Sequence, residues 1–305
     1  MIGIRAAVAG VCAVVVLGPA ATAGPAPSYP TPVLTTRAAN EQAAADESDR
    51  LIAALGDALA GLNVGAVRSD SAPVPGLAKP DESTTMGEPS LTRTAWWTVT
   101  VTPKALAGAL SASPPAGTTD QNGSAWGGGR VAKRRYLFGI FGAPSTDAYA
   151  APELDIEVEA TDGGAALIAD TYISPRAART LGSYVTDSVT RIDVTGRVTS
   201  WRSGTTKRLD EAITGRAAIH SFVTALDGLP GVALYQGVHS CPMPMTQAKL
   251  RLTLPTSGGA VVVRADDGPC GWTLGVHRDG KHQGPRLDPA PMTSRLQKLV
   301  SRAGG

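Results

Sequence analysis

Residues 241–270 read CPMPMTQAKLRLTLPTSGGAVVVRADDGPC. Two apolar runs, Leu250–Leu254 and Ala260–Val263, flank Pro255-Thr256-Ser257-Gly258-Gly259. A glycine pair between two β-prone runs predicts a hairpin, because glycine supplies the positive φ that tight turns need. The midpoint of Cys241 and Cys270 falls almost on that turn. The two thiols therefore belong at the open ends of the strands, where Cα atoms come within disulfide reach. A bridge there closes a loop of about thirty residues, worth roughly 3.5 kcal/mol in the chain-entropy account. The rival is a zinc site from His239, Cys241, Cys270 and His277. Ligand number and types fit, but the spacing is not that of short ligand knuckles. The reading is a disulfide, with no metal and no cofactor.

Outward from this hairpin the same grammar repeats. Upstream, Ile219, Phe222, Val223 and Leu226 stand at i, i+3, i+4 and i+7, with Thr214 as cap and Gly228 and Pro230 as the stop. Downstream, Trp272–His277 reads as a strand turned by Asp279-Gly280, and Pro289–Arg302 as a helix capped by Asp288 with Met292, Leu296 and Leu299 inward. Ahead of the central helix, Tyr184–Val194 reads as a strand and Thr195–Leu209 as a basic, polar connection. The first half is written alike. In Thr92–Val101, Trp97, Val99 and Val101 alternate with Trp96, Thr98 and Thr100. Pro103 opens a short helix with Leu106 and Leu110 on one face, and Pro114-Pro115 ends it. Thr118–Gly129 is polar and Gly-rich and reads as a mobile loop. Strands follow over Arg130–Phe141, Glu153–Ala160 and Ala165–Ile173, the last two joined at Asp162-Gly163-Gly164.

The expected fold class is thus α+β: two antiparallel-sheet units of βαβββ order, each packed with a helix, over 91–180 and 181–305. Residues 24–90 hold a tail with Pro25, Pro27, Pro30 and Pro32, an Ala-rich helix over Arg37–Leu62, and a loop over Gly65–Glu88. In that helix Leu51, Leu55, Leu59 and Leu62 form the inward stripe, with Asp46, Glu47, Asp49 and Arg50 facing away.

Residues 1–23 read as a secretory signal peptide. Arg5 is the lone early charge, and Ala6–Leu17 is apolar but short for a membrane span. Ala21-Thr22-Ala23 fits a small-x-small cleavage site, cut between Ala23 and Gly24. The alternative is an uncleaved anchor. Cys12 sits in the apolar run behind Val11, where lipid attachment wants a small residue. Its removal leaves two of the three cysteines, which suits an oxidising compartment. The expected location is secreted or cell-envelope associated, with no transmembrane span after cleavage. The whole chain carries a formal charge of only +2, which gives no electrostatic reason to expect nucleic acid or an anionic membrane as partner.

Trp97-Thr98-Val99, the Leu106/Leu110 helix ending in Pro114-Pro115-Ala116-Gly117, Pro175-Arg176, Cys241-Pro242 and Cys270-Gly271 follow one another in this order. The arrangement resembles a group of exported actinomycete proteins over about Leu91–Val300. No activity is assigned to that group, so the resemblance implies export and carries no functional residue. The chain departs from it at Asn63-Val64-Gly65, where a Pro-Pro-Gly turn would be expected.

Three constellations could carry chemistry. In Leu154-Asp155-Ile156-Glu157-Val158-Glu159 the carboxylates share one strand face, about 7 Å apart. That suits calcium or a glycosidase pair, but a solvated face paired with Lys133 and Arg135 explains it more simply. His220 flanks the central helix, but no Gly-x-Ser-x-Gly or Ser-x-x-Lys accompanies it. Lys133-Arg134-Arg135 splits its charges between two faces, Asn122-Gly123-Ser124 reads as a turn before a glycan site, and Gly127-Gly128-Gly129 lacks the context of a phosphate cradle. The expectation is a non-catalytic module presenting a sheet face or loop to a cell-wall polymer or secreted protein. The alternatives are a hydrolase using Asp155, Glu157 or His220, and a small-molecule or lipid carrier with an apolar cavity between sheet and helix.

Overall fold

The computed structural model describes residues 32, 34–77, 91–121, 126–131, 134–200, 202–233, 246–268 and 271–304. Residues 1–23, with Ala23, and Gly24 lie outside them, as do Asn122-Gly123-Ser124, Lys133, His239, Cys241 and Cys270.

The chain is α+β. Helix α1 (Arg37–Gly61) starts where the Thr36 hydroxyl accepts the Ala39 N–H, an N-cap worth about 1 kcal/mol. Leu51, Leu55 and Leu59 are fully buried as the spacing predicts. Glu47 does not face away: it is buried and accepts two hydrogen bonds from Arg50, at 2.6 and 2.7 Å. It lies one turn before Leu51, on the same stripe. Strand β1 (Val67–Ser69) then pairs with β2 (Thr94–Val99), so part of the expected loop is an edge strand. Helix α2 (Pro103–Ala112) is capped by Thr102. Strands β3 (Thr119–Asp120), β4 (Gly127–Val131), β5 (Arg134–Gly142), β6 (Tyr149–Thr161) and β7 (Gly164–Pro175) complete the first sheet, ordered β1-β2-β7-β6-β5-β3 with β4 also on β5. The supposed mobile loop is therefore pinned to β5 near both ends, at Thr119–Asp120 and at Gly127–Gly129. The glycine run in β4 hid the strand, because it offers no side-chain alternation.

The second unit holds β8 (Ile192–Ser200), β9 (Thr206–Ile213), α3 (Arg216–Asp227), β10 (Thr246–Thr256), β11 (Gly259–Gly268), β12 (Gly271–Arg278), β13 (Lys281–His282) and α4 (Thr293–Gly304). Its order is β13-β12-β11-β10-β8-β9, every pair antiparallel. The hairpin of residues 246–268 forms with Thr256 opposite Gly259 and Leu252 opposite Val263. Asp279 and Gly280 both have positive φ, so the Asp-Gly turn is as expected. Two readings change. The strand placed at Tyr184–Val194 begins only at Ile192, after a 3-10 turn at Leu181–Ser183. The polar stretch after it forms the β8–β9 hairpin, so this unit has two strands before its helix. Gly215, not Thr214, is the N-cap of α3, with no side-chain bond.

Each sheet buries one face. Trp97, Phe141, Ile156 and Leu167 of the first pack under Leu55 and Leu59 of α1 and Leu106 and Leu110 of α2. Val194, Leu252, Val263 and Leu274 of the second pack under Phe222 and Leu226 of α3 and Leu296 of α4. At roughly 1.5–3 kcal/mol per buried side chain, these two layers dominate stability.

The units meet at Arg176, the residue after β7. Its Nε donates to the Thr146 carbonyl (2.8 Å) in the first unit. Its Nη1 donates to the Gly231 carbonyl (3.0 Å) and the Asp288 carboxylate (2.9 Å) in the second. Asn40 of α1 donates to its carbonyl at 2.8 Å. Gly231 has no substitute here, since a Cβ would collide with the Ala177 carbonyl. Arg176 is 5% exposed, so removing the guanidinium strands a carboxylate and buried carbonyls. Arg176→Met is expected to cost about 3–5 kcal/mol in urea unfolding, and Arg176→Lys less. A loss below about 1 kcal/mol would show that the junction is held by packing alone.

Candidate functional site

Three places gather polar groups. The first is the face of the first sheet turned away from α1 and α2. Alternation puts Leu154, Ile156 and Val158 of β6 in the core and Glu153, Asp155, Glu157 and Glu159 on the opposite face. Asp155 stands directly across from Asp170 of β7. The residues opposite Glu159, Glu157 and Asp155 in β5 are Tyr136, Phe138 and Ile140; Lys133 of the expected pairing lies outside the described residues. The face is not simply solvated. Asp170 is 4% exposed and accepts from the Thr94 hydroxyl, while Oδ1 of Asp155 is buried and takes no hydrogen bond. Burial, reinforced by Glu153, Asp170 and Glu157, pushes the Asp155 carboxyl up to about 7. Burial also raises Asp170 to about 6 against the pull of its Thr94 bond. Val74 and Leu77 pack over Trp96, Ala166 and Ile168 farther along this face, and Trp96 Nε1 donates to the Leu77 carbonyl.

The second place is a cavity of about 310 Å³ at the junction, lined by Arg179, Tyr184, Thr224 and Asp227 among others. Arg179 and Asp227 are engaged by the fold. Arg179 donates to the carbonyls of Asp227 (2.8 Å) and Leu229 (2.7 Å), to the Ser183 hydroxyl (3.1 Å) and to the Ser183 carbonyl (2.5 Å). It also stacks 3.7 Å from the Tyr184 ring. It thereby satisfies the carbonyls at the C-terminal end of α3 that lack helical partners. Asp227, raised to about 6 chiefly by burial, accepts the Val185 N–H at 2.9 Å. This is structural wiring.

The third place is the outer face of the second sheet. With Ile192, Val194, Leu250, Leu252, Val263 and Ala265 turned inward, the alternate residues face water. They include Arg197 on β8, Arg208 on β9, Lys249 and Arg251 on β10 and Arg264 on β11, accompanied by Asp210 and Asp266, around a concavity of about 630 Å³. All five cations are exposed. Register sets them against one another: Arg197 opposes Arg208 on one side and Lys249 on the other, and Arg251 opposes Arg264. None of the five makes an ion pair or side-chain hydrogen bond among the described residues. Next to them His277 packs edge-on to His282 at 5.1 Å, above Gly275. Its pKa is lowered by burial first and then by Arg264, His282 and Arg251, so the positive field reaches it.

The hydrolase candidates are not brought together. Asp155 and Glu157 lie on the outer face of the first sheet and His220 on α3 of the second unit. His277, one of the four zinc candidates, is described on β12 and the other three are not. Among the described residues no group of three His, Cys, Asp or Glu is arranged to hold a metal ion. No helix there is long and apolar enough to cross a membrane. Gly127-Gly128-Gly129 is a paired strand rather than a phosphate cradle. The two cavities described lie at the junction and on an outer sheet face. The basic face escaped the sequence reading because its cations come from four strands. The usable signal was the outward phase of Lys249, Arg251 and Arg264 beside buried Leu250, Leu252, Val263 and Ala265.

No protein-family model, curated protein or solved structure matches the chain.

The raised carboxyl of Asp155 has a testable sign. A carboxyl whose folded value exceeds its ordinary one stabilises the fold while protonated, and that contribution is lost as pH rises from 3.8 through about 7. Asp155→Asn is therefore expected to be more stable than the parent at pH 8 by roughly 1–3 kcal/mol. The gap should shrink towards pH 5. Denaturant midpoints across this range check it, and a pH-independent difference would contradict the assignment.

Proposed function

We propose that the protein is an exported, non-catalytic binding module of the extracellular space or cell envelope, and that it recognises an anionic partner through the outer face of its second sheet. One observation carries the binding reading: five exposed cations, four of them arginines, sit side by side across β9, β8, β10 and β11 with only Asp210 and Asp266 among them. Like charges directly opposite on neighbouring strands destabilise a sheet. Asp266 stands across from Lys249 and Asp210 lies nearby, but among the described residues the arginines make no ion pair with them; such crowding is understandable if an external anion relieves it. Arginine suits the task, because its planar fork donates two parallel hydrogen bonds to an oxyanion. The export part rests on the signal-like residues 1–23 and on the Cys241/Cys270 pair, for which a disulfide is proposed.

Two measurements test this. On a sulfonate exchanger, Arg251→Gln is expected to elute at lower salt than Lys298→Gln, which likewise removes one charge but from the opposite, helical side. Equal elution would argue that overall charge and not this face governs retention. For export, intact mass of protein recovered from culture medium should rise by a pair of hydrogens on reduction. Recovery from the cytoplasm alone would overturn the location, and an unchanged mass the disulfide.

A further inference from the structure

The anion that would fit this face can be narrowed, on the assumption that the binding reading above holds. Three features of the face select among polyanions. The first is charge spacing. Arg208, Arg197 and Lys249 form a row across three adjacent strands, about 4.8 Å apart in backbone spacing, and Arg251 lies about 7 Å along β10 from Lys249. The match is therefore a chain bearing repeated single charges, not one compact anion. The second is shape. The cations rim a broad, open concavity on a sheet face rather than an enclosed pocket, so a partner must turn successive charges to one side. A flexible backbone can do this, whereas a stiff uronic-acid ribbon turns successive carboxylates to different sides. The third is that the described residues of the face offer no stacking surface. Single-stranded nucleic acid is held by aromatic side chains on which bases stack, alongside a basic groove. Among the described residues of this face there is no Trp, Tyr or Phe. Trp272 of β12 points into the core at 6% exposure, and only the His277/His282 pair borders the cations.

We propose that the outer face of β8–β11 binds a linear, base-free phosphodiester polymer, a chain of small polyols joined through phosphates. The arginine forks engage the non-bridging oxygens of successive phosphates, and the hydroxyl-bearing spacers remain in water. No bond is made or broken. Affinity comes largely from released counterions, so it must fall steeply with salt.

The probe is a ten-unit oligomer of glycerol phosphate, titrated into the protein by calorimetry at 50 and 200 mM NaCl. With about four phosphates engaged, a slope near −0.7 per phosphate makes binding roughly fifty-fold weaker at the higher salt. Arg251→Gln/Arg264→Gln should weaken binding at 50 mM at least tenfold and reduce the slope by about 1.4. Arg197→Gln/Lys249→Gln serves as an independent second pair, and Lys298→Gln should bind as the parent does. An oligogalacturonate of equal charge is expected to bind at least tenfold less tightly than the glycerol phosphate oligomer, and an oligothymidylate no more tightly. Tighter binding of the uronate would overturn the phosphodiester assignment while leaving the binding face in place. Tighter binding of oligothymidylate would assign the face to nucleic acid. Concentration-dependent self-association, lost in both paired variants, would assign it to a second copy of the chain. No binding of any polyanion, or binding that both pairs leave unchanged, would overturn this inference and the binding reading together.

Discussion

Arg176 reaches from the end of β7 to oxygen atoms contributed by both halves of the chain, and the two-unit architecture depends on that junction. Its guanidinium joins the Thr146 carbonyl of the first unit to the Gly231 carbonyl and Asp288 carboxylate of the second. Asn40 ties α1 to the same residue through its backbone. Three residues on, Arg179 closes the end of α3. A buried cation is costly unless fully hydrogen-bonded. Here the two arginines tie a short connecting segment to both units. Each sheet keeps one face under helices and turns the other outward.

What the free faces carry differs. The first sheet turns carboxylates outward, and two of them are buried enough to resist ionisation. Part of that face is covered by Val74 and Leu77. The second sheet turns cations outward, exposed and mutually opposed. A formal charge of +2 therefore conceals a segregation. Net charge describes solubility and long-range steering, and it says nothing of where the charges stand.

Much of the fold was legible because burial writes a period into the sequence. The β10–β11 hairpin, the paired runs of β6 and β7, the Asp279-Gly280 turn and the leucines of α1 all follow from alternation, turn chemistry or helical spacing. The misses have a common cause. In β9 only Leu209 is fully buried, β4 opens with three glycines, and β1 has three residues. Edge strands touch the core too little to show a period. The basic face was illegible for another reason. Arg197, Arg208, Lys249 and Arg264 are neighbours only through strand register, which depends on long-range pairing. Glu47 was misjudged by its charge, although its position one turn before Leu51 already placed it inward.

Cations held against one another on the second sheet are the centre of this account, and screening exposes them directly. The measurement is thermal unfolding of the ligand-free protein from 10 to 200 mM NaCl, alongside Arg251→Gln/Arg264→Gln. If the opposed charges cost stability, the parent should gain roughly 1–3 °C relative to the double variant as salt rises, because repulsion between exposed charges is screened. Parallel salt dependences of the two proteins would mean that these side chains already find relief within the fold, and would contradict the account.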